Sequence, residues 1–184
     1  MDDSFINLRG AIYQTEQEFK RFRQTLVNAV MATDVMDKDL GAARKERWEK
    51  AFSEHPLTES SDLTVNRRAT IVIEHLIQAS DVSHTMQHWH IYSKWNARLF
   101  GEMYQAYQEG RAEKNPADFW YKGEIGFFDF YVIPLAKKLK DCGVFGVSSD
   151  EYLSYALKNR DEFEAKGQEL VEGYIEKYEA GLLG

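Results

Sequence analysis

Apolar residues recur along most of this chain at steps of three and four, and no segment alternates apolar and polar residues with a period of two, so the pattern predicts helices throughout. Thr15 followed by Glu18 has the form of a capping box, and Phe19, Phe22, Leu26 and Val30 then step along one face of a helix expected to reach about Thr33. A short helix is expected from about Lys45 to Phe52, stopped by His55-Pro56 and the polar run after it. Ala69, Val72, Leu76 and Ala79 mark the next apolar face, on a helix ending near Asp81. From about Met86, the residues Tyr92, Trp95, Leu99, Met103 and Ala106 predict the longest, central helix, with Gly110 as its stop. Asn115-Pro116 reads as a cap with proline in the first turn. The apolar run 125–135 follows, with Pro134 expected to kink it, and Gly143 and Gly146 bracket a turn. Ser148 and Glu151 open a last helix with a sparse seam of Phe163, Leu170, Tyr174 and Tyr178.

Composition narrows the class without changing that picture. The 184 residues are 43% hydrophobic and include 11 Phe, 10 Tyr and 4 Trp, enough to build one all-α domain with a real interior. A formal charge of −7, with no long cluster of Lys and Arg, argues against a nucleic-acid partner. The single cysteine, Cys142, has no partner for an intramolecular disulfide, no neighbours spaced for zinc and no activating base. No stretch of about 18 apolar residues is present and no signal core precedes residue 10, so we expect no membrane segment and a cytoplasmic setting.

Four segments in order carry a resemblance. They are VNAVMATDVMDKDL at residues 27–40, IEHLIQASDVSHTMQHW at 73–89, NARLFGEMYQAYQEGRAE with Glu102, and GEIGFFDFYVIPLAKKL from Gly123, with ALKNRDEF closing the series. Together they resemble the C-terminal half of the catalytic domain of class I 3′,5′-cyclic-nucleotide phosphodiesterases, over about Phe19 to about Phe163. The resemblance implies an all-α, multi-helix HD-domain or phosphodiesterase-like bundle, incomplete at its N-terminal side, with residues 1–184 as the C-terminal part of the catalytic domain.

That family hydrolyses a cyclic nucleotide, cGMP or cAMP, at a two-metal site holding zinc and magnesium or manganese. Asp81 matches the second metal-binding aspartate, whereas the His-Asn-x-x-His and His-Asp motifs that supply the other ligands do not occur in this chain. No catalytic residue is therefore assigned, and the chain alone is expected to hold metal weakly or not at all, since zinc takes at least three protein ligands. Glu124 stands where the family places the glutamine that pairs with the base edge, and Phe127 where it places the aromatic that stacks on the purine. An ionised Glu only accepts hydrogen bonds, which suits the guanine N1–H and N2–H₂ donors and implies a weak preference for cGMP. Thr33 and Asp34 match a family step near the metal region.

More ordinary roles compete with these. His84, His88 and His90 beside Asp81 read as surface or packing residues before they read as a makeshift metal cluster, and His55 and His75 as structural. Phe128 and Phe130 read as buried, and Trp89 and Trp95 as core. Glu124 could simply sit exposed in a first helical turn. The alternatives for the whole chain are part of a phosphodiesterase whose active form includes an upstream half, a non-catalytic purine-binding or protein-interaction module, or a bare scaffold. Exposed apolar surface, with self-association through it, would favour the first.

Overall fold

The structure, a computed structural model, describes residues 6–35, 37–52, 62–143 and 145–182. Among these residues there are eight α-helices and no strand: α1 Ile6–Ile12, α2 Glu16–Ala32, α3 Lys38–Phe52, α4 Asp62–Asp81, α5 Trp89–Gln108, α6 Trp120–Phe127, α7 Ile133–Asp141 and α8 Ser149–Glu179. They fall into two compact units, Met1–Asp81 and Val82–Gly184. His55 lies outside the described residues.

In the first unit, α4 packs on both α2 and α3. The capping box at α2 forms as expected, with the Thr15 side chain accepting from the Glu18 N–H and the Glu18 carboxylate accepting from the Thr15 N–H. Helix α3 begins seven residues earlier than its apolar pattern suggests, because Asp37 Oδ1 accepts from the N–H groups of Asp39 and Leu40 at 2.9 and 3.0 Å and supplies the missing partners of a first turn. Much of what joins the helices is polar. Gln78 Nε2 donates to the Ala32 carbonyl (3.0 Å), Arg44 to those of Met31 and Asp34 (3.3 and 3.0 Å) and Arg68 to that of Ala51 (2.9 Å), so orphan carbonyls at helix ends are satisfied across the packing. Glu74, buried, accepts from Arg47 at 2.8 Å. Burial lifts its carboxyl above the usual range against the pull of Arg47 and Arg44.

Of the α2 residues expected to be buried, Phe19 is half-buried and the other three are exposed. Leu26 is 51% exposed and Val30 61%, with Phe22 also exposed, and α2 turns Thr25, Asn28, Ala29 and Ala32 inward instead.

In the second unit α8 is the longest helix, 31 residues, displacing α5 from the role its pattern suggested; α5, α6 and α7 all pack along it. The fully buried rings are Tyr92, Phe100, Phe128 and Phe163. They meet edge to face, as ring quadrupoles favour: Tyr92 with Phe128 at 5.3 Å and with Phe163 at 6.1 Å, and Phe100 with Trp120 at 5.3 Å. Trp95, at the edge of the buried face of α5, is 50% exposed rather than core. Gly110, at φ 72°, ends α5 in the left-handed conformation its sequence position suggested, and Asn115 caps a short 3₁₀ turn, Pro116–Asp118.

At Gly167 of α8 the Tyr121 ring of α6 packs against the helix backbone. A Cβ there would lie 2.8 Å from the rings of both Phe163 and Tyr121, while one at Gly173 would meet nothing. Gly173→Ala is therefore expected to stabilise the protein by about 0.5–1 kcal/mol through helix propensity, and Gly167→Ala to cost about 1–3 kcal/mol through overpacking. Urea denaturation of the two variants reads this, and equal stabilisation by both would contradict it.

Candidate functional site

Four side chains from α5 and α6 form one hydrogen-bonded chain, buried at Trp120, Asn96 and Tyr92 and half-buried at Glu124. Trp120 Nε1 donates to Asn96 Oδ1 at 3.2 Å, Asn96 Nδ2 to Tyr92 Oη at 3.3 Å, and Tyr92 Oη to Glu124 Oε2 at 2.8 Å. Tyr92 and Asn96 are four apart on α5, and Trp120 and Glu124 four apart on α6, so each helix presents its pair on one face. Glu124 is thus not a freely exposed first-turn acid. Burial lifts its carboxyl above the ordinary range, and the hydrogen bonds from Tyr92 and Asn96 work against that rise. Burial and the neighbouring carboxylate push the Tyr92 phenol strongly up, so Tyr92 remains a donor. The Tyr174 phenol is raised for the same two reasons, and its buried hydroxyl has no hydrogen-bond partner among the described residues.

Phe127 follows Glu124 by three positions, which puts its ring on the same side of α6. It is half-buried and stacks on Tyr131 with ring centroids 5.3 Å apart. Between α6 and α7 the helix widens into a π turn, Phe128–Val132, where the Ile133 N–H reaches back to the Phe128 carbonyl. Pro134 follows at once; it cannot donate to the Phe130 carbonyl, so an ordinary helical ladder could not run through this point unbroken. This is the sequence-predicted kink in its observed form. It buries Phe128 and Val132 completely and turns Phe130 out to 86% exposure, so only the first of the two phenylalanines expected to be buried is so.

Two residues of the ALKNRDEF segment hold this region to α8 and went unnoticed as individuals. Asn159 Nδ2, on a fully buried side chain, donates to the carbonyls of Thr85 and Gln87 at 2.9 and 2.7 Å, fixing the turn Ser83–Met86 that leads into α5. Arg160 makes a two-pronged pair with Asp129 in the π turn, at 2.9 and 3.2 Å, and lowers that carboxyl's pKa. The Lys-Asn-Arg spelling in the sequence was the signal, but their partners lie 31 to 74 residues away.

The remaining candidates lie in the first unit. Asp81 is the exposed last residue of α4, and Thr33 and Asp34 are exposed just beyond α2. The Gln78–Ala32 bond brings those two helix ends to the same end of the unit. Thr33 Oγ1 donates to the Val30 carbonyl at 2.8 Å and Asp34 Oδ1 accepts from the Asp37 N–H at 3.2 Å, the roles of helix-end and turn residues. Among the described residues no three His, Cys, Asp or Glu side chains are placed to hold a metal ion. His88 and His90 face each other at 2.9 Å through their Nδ1 atoms, and His75 is buried with Nδ1 against the Ile71 carbonyl at 2.8 Å. No helix is long and apolar enough to cross a membrane among the described residues.

Residues 6–144 match the family model described as 3′5′-cyclic nucleotide phosphodiesterase. Two solved structures are similar: the phosphodiesterase domain of the RhoPDE fusion protein from the choanoflagellate Salpingoeca rosetta, and the phosphodiesterase domain of Salpingoeca rosetta rhodopsin phosphodiesterase. Each is 23% identical with a TM-score of 0.58, over 89% and 91% of this chain respectively and 50% of the other. This chain thus spans about half the length of those chains, and at that identity the likeness speaks for the fold. No curated protein matches the sequence.

The raised Glu124 carboxyl has a consequence for stability. Below about pH 4.5 the group is protonated in both folded and unfolded chains; as pH rises from there through the raised folded value, the unfolded chain releases its proton first and stability is lost. Glu124→Gln keeps an acceptor for Tyr92 but cannot ionise. We expect its melting temperature to exceed that of the wild type at neutral pH and the difference to close towards pH 4; a variant less stable at neutral pH would contradict this.

Proposed function

The chain belongs to the 3′5′-cyclic nucleotide phosphodiesterase family, and on that premise we propose that Glu124 and Phe127 form a base-recognition wall that prefers the guanine of cGMP to the adenine of cAMP. The observation that carries this reading is the 2.8 Å bond from Tyr92 to Glu124, which anchors one carboxylate oxygen from below. Ionised carboxylate has about four acceptor positions, so capacity for further donors remains. The guanine N1–H and N2–H₂ groups can supply them together, whereas adenine N1 would turn a lone pair towards the negative charge. Phe127 supplies the stacking surface, worth roughly 1–3 kcal/mol for any base. Thr33, Asp34 and Asp81 are not assigned to base recognition.

Two donors on one carboxylate, at the low end of the roughly 1–3 kcal/mol range for such pairs, give a weak preference, so calorimetry with the chain should find cGMP bound about 5-fold tighter than cAMP. The ratio should shrink in mildly acidic buffer, where a protonated Glu124 gains an O–H donor suited to adenine N1. Glu124→Gln should lose most of the preference. Tighter cAMP binding by the unaltered chain would sink this reading.

Hydrolysis of the cyclic phosphodiester would require an activated water, charge neutralisation on the phosphoryl oxygens and a proton for the leaving O3′. In the family the metals would activate that water. The described residues do not fit a two-metal centre, because Asp81 is the one matching ligand and it stands exposed at a helix end without companions. No hydrolytic step is assigned to these residues. We expect the chain by itself to show only background turnover of cGMP and cAMP with zinc, magnesium or manganese; metal-dependent turnover that Asp81→Ala abolishes would contradict this. The same observation favours, as a second reading, a chain that binds purine without catalysis.

A further inference from the structure

Within the first unit, helices α3 and α4 leave between them a groove of about 440 Å³, lined by Arg47 and Lys50 from α3 and by Arg67, Thr70 and Ile71 from α4. The spacing of these residues builds it. Arg47 and Lys50 are three apart on one helix, and Arg67, Thr70 and Ile71 stand at intervals of three and four on the other, so each helix turns its set to one side. Ile71 is buried and apolar, and three cationic side chains share the groove with it. In a chain of formal charge −7, that is a local reversal of sign.

The cations are held in ways that leave donors over. Glu74, buried one turn after Thr70 on α4, accepts from Nη2 of Arg47 at 2.8 Å. A guanidinium carries five N–H donors, so this pair orients Arg47 across the groove without exhausting it. Lys50 pairs with Glu46 at 2.6 Å, an exposed contact within one helix of the kind that exchanges readily for a stronger acceptor. Arg67 makes no ion pair among the described residues. The Thr70 hydroxyl donates back to the Asn66 carbonyl at 3.0 Å, a bond it can exchange for a ligand oxygen. Three cations thus meet the two carboxylates that pair with them, and the groove stays net positive.

A phosphoryl group fits this set. It brings a charge of about −1.5 to −2 and three acceptor oxygens, and arginine forks match its geometry. The volume lies within the range of small-molecule sites, about 300–1,000 Å³, so it admits an organic body as well as the anion. We propose that the α3–α4 groove binds a small phosphomonoester, with Arg47, Lys50 and Arg67 on the phosphate and Ile71 against the body that carries it. The site uses neither Asp81 nor the base-recognition wall.

Ribose 5-phosphate, a phosphomonoester without a base, is the probe. It is titrated into the isotope-labelled full chain, with amide chemical shifts reading the place of binding and calorimetry the affinity. One-to-one binding is expected, with shifts around Arg47 and Lys50 on α3 and around Arg67 and Thr70 on α4, weaker binding of inorganic phosphate and none of ribose. Arg67→Ala, which breaks no ion pair of the described fold, and Lys50→Gln should each weaken binding about fivefold or more through a lost charge-assisted contact. Arg47→Lys, which keeps a cation beside Glu74, should weaken it as well by removing the fork. Absence of shifts at about 10 mM ribose 5-phosphate would overturn the proposal. So would shifts confined to other helices, an affinity unchanged in both Arg67→Ala and Lys50→Gln, or tighter binding of citrate than of the phosphomonoester. Because the probe carries no base, its result is read separately from the cGMP preference.

Discussion

A half-buried carboxylate at the edge of an aromatic core is the constraint around which the second unit is organised. Removing Glu124 from water without partners would cost several kcal/mol, and the chain from Trp120 through Asn96 and Tyr92 is what makes its position tenable. Because those donors sit on α5 and α6 at single positions, the chain also fixes the rotation of the two helices against each other. Tyr92 serves both parts of the structure: its ring packs edge-on against Phe128 and Phe163 while its hydroxyl holds Glu124. The long helix α8 completes the arrangement. Asn159 and Arg160 clamp the turn before α5 and the π turn after α6, so both helices are tied to α8.

The first unit obeys a different rule. Its helices meet through side-chain amides and guanidinium groups that satisfy carbonyls at helix ends, and its aliphatic residues face outward. Such a unit is internally hydrogen-bonded while aliphatic side chains of α2 and α4 stay exposed.

Periodicity made the helices legible, and local chemistry made their ends legible: the Thr15–Glu18 box, the Gly110 stop and the Asn115 cap all appear where the residues suggested. A stripe of apolar residues, however, says which side chains share a face and not which way that face turns. Phe22, Leu26, Val30 and Trp95 were misassigned to the core for that reason. Phe130 was misassigned because the π turn before Pro134 shifts the register of the face by a residue. The ordered motifs pointed to the family, which the match over residues 6–144 bears out, and to Glu124 and Phe127 as neighbours on one helix. What they could not show was the partner of Glu124, since Tyr92 lies 32 residues away and nothing in its local sequence marks it as more than a core ring.

The central claim is that Glu124 and Phe127 seat a guanine, and intermolecular nuclear Overhauser effects in the nucleotide-saturated chain test it most directly. A base on the wall places guanine H8 and the ribose H1′ within reach of the Phe127 ring protons, and the Glu124 carboxyl carbon should shift as cGMP is added. Contacts from guanine to rings elsewhere in the chain, with Phe127 and Glu124 silent, would contradict it.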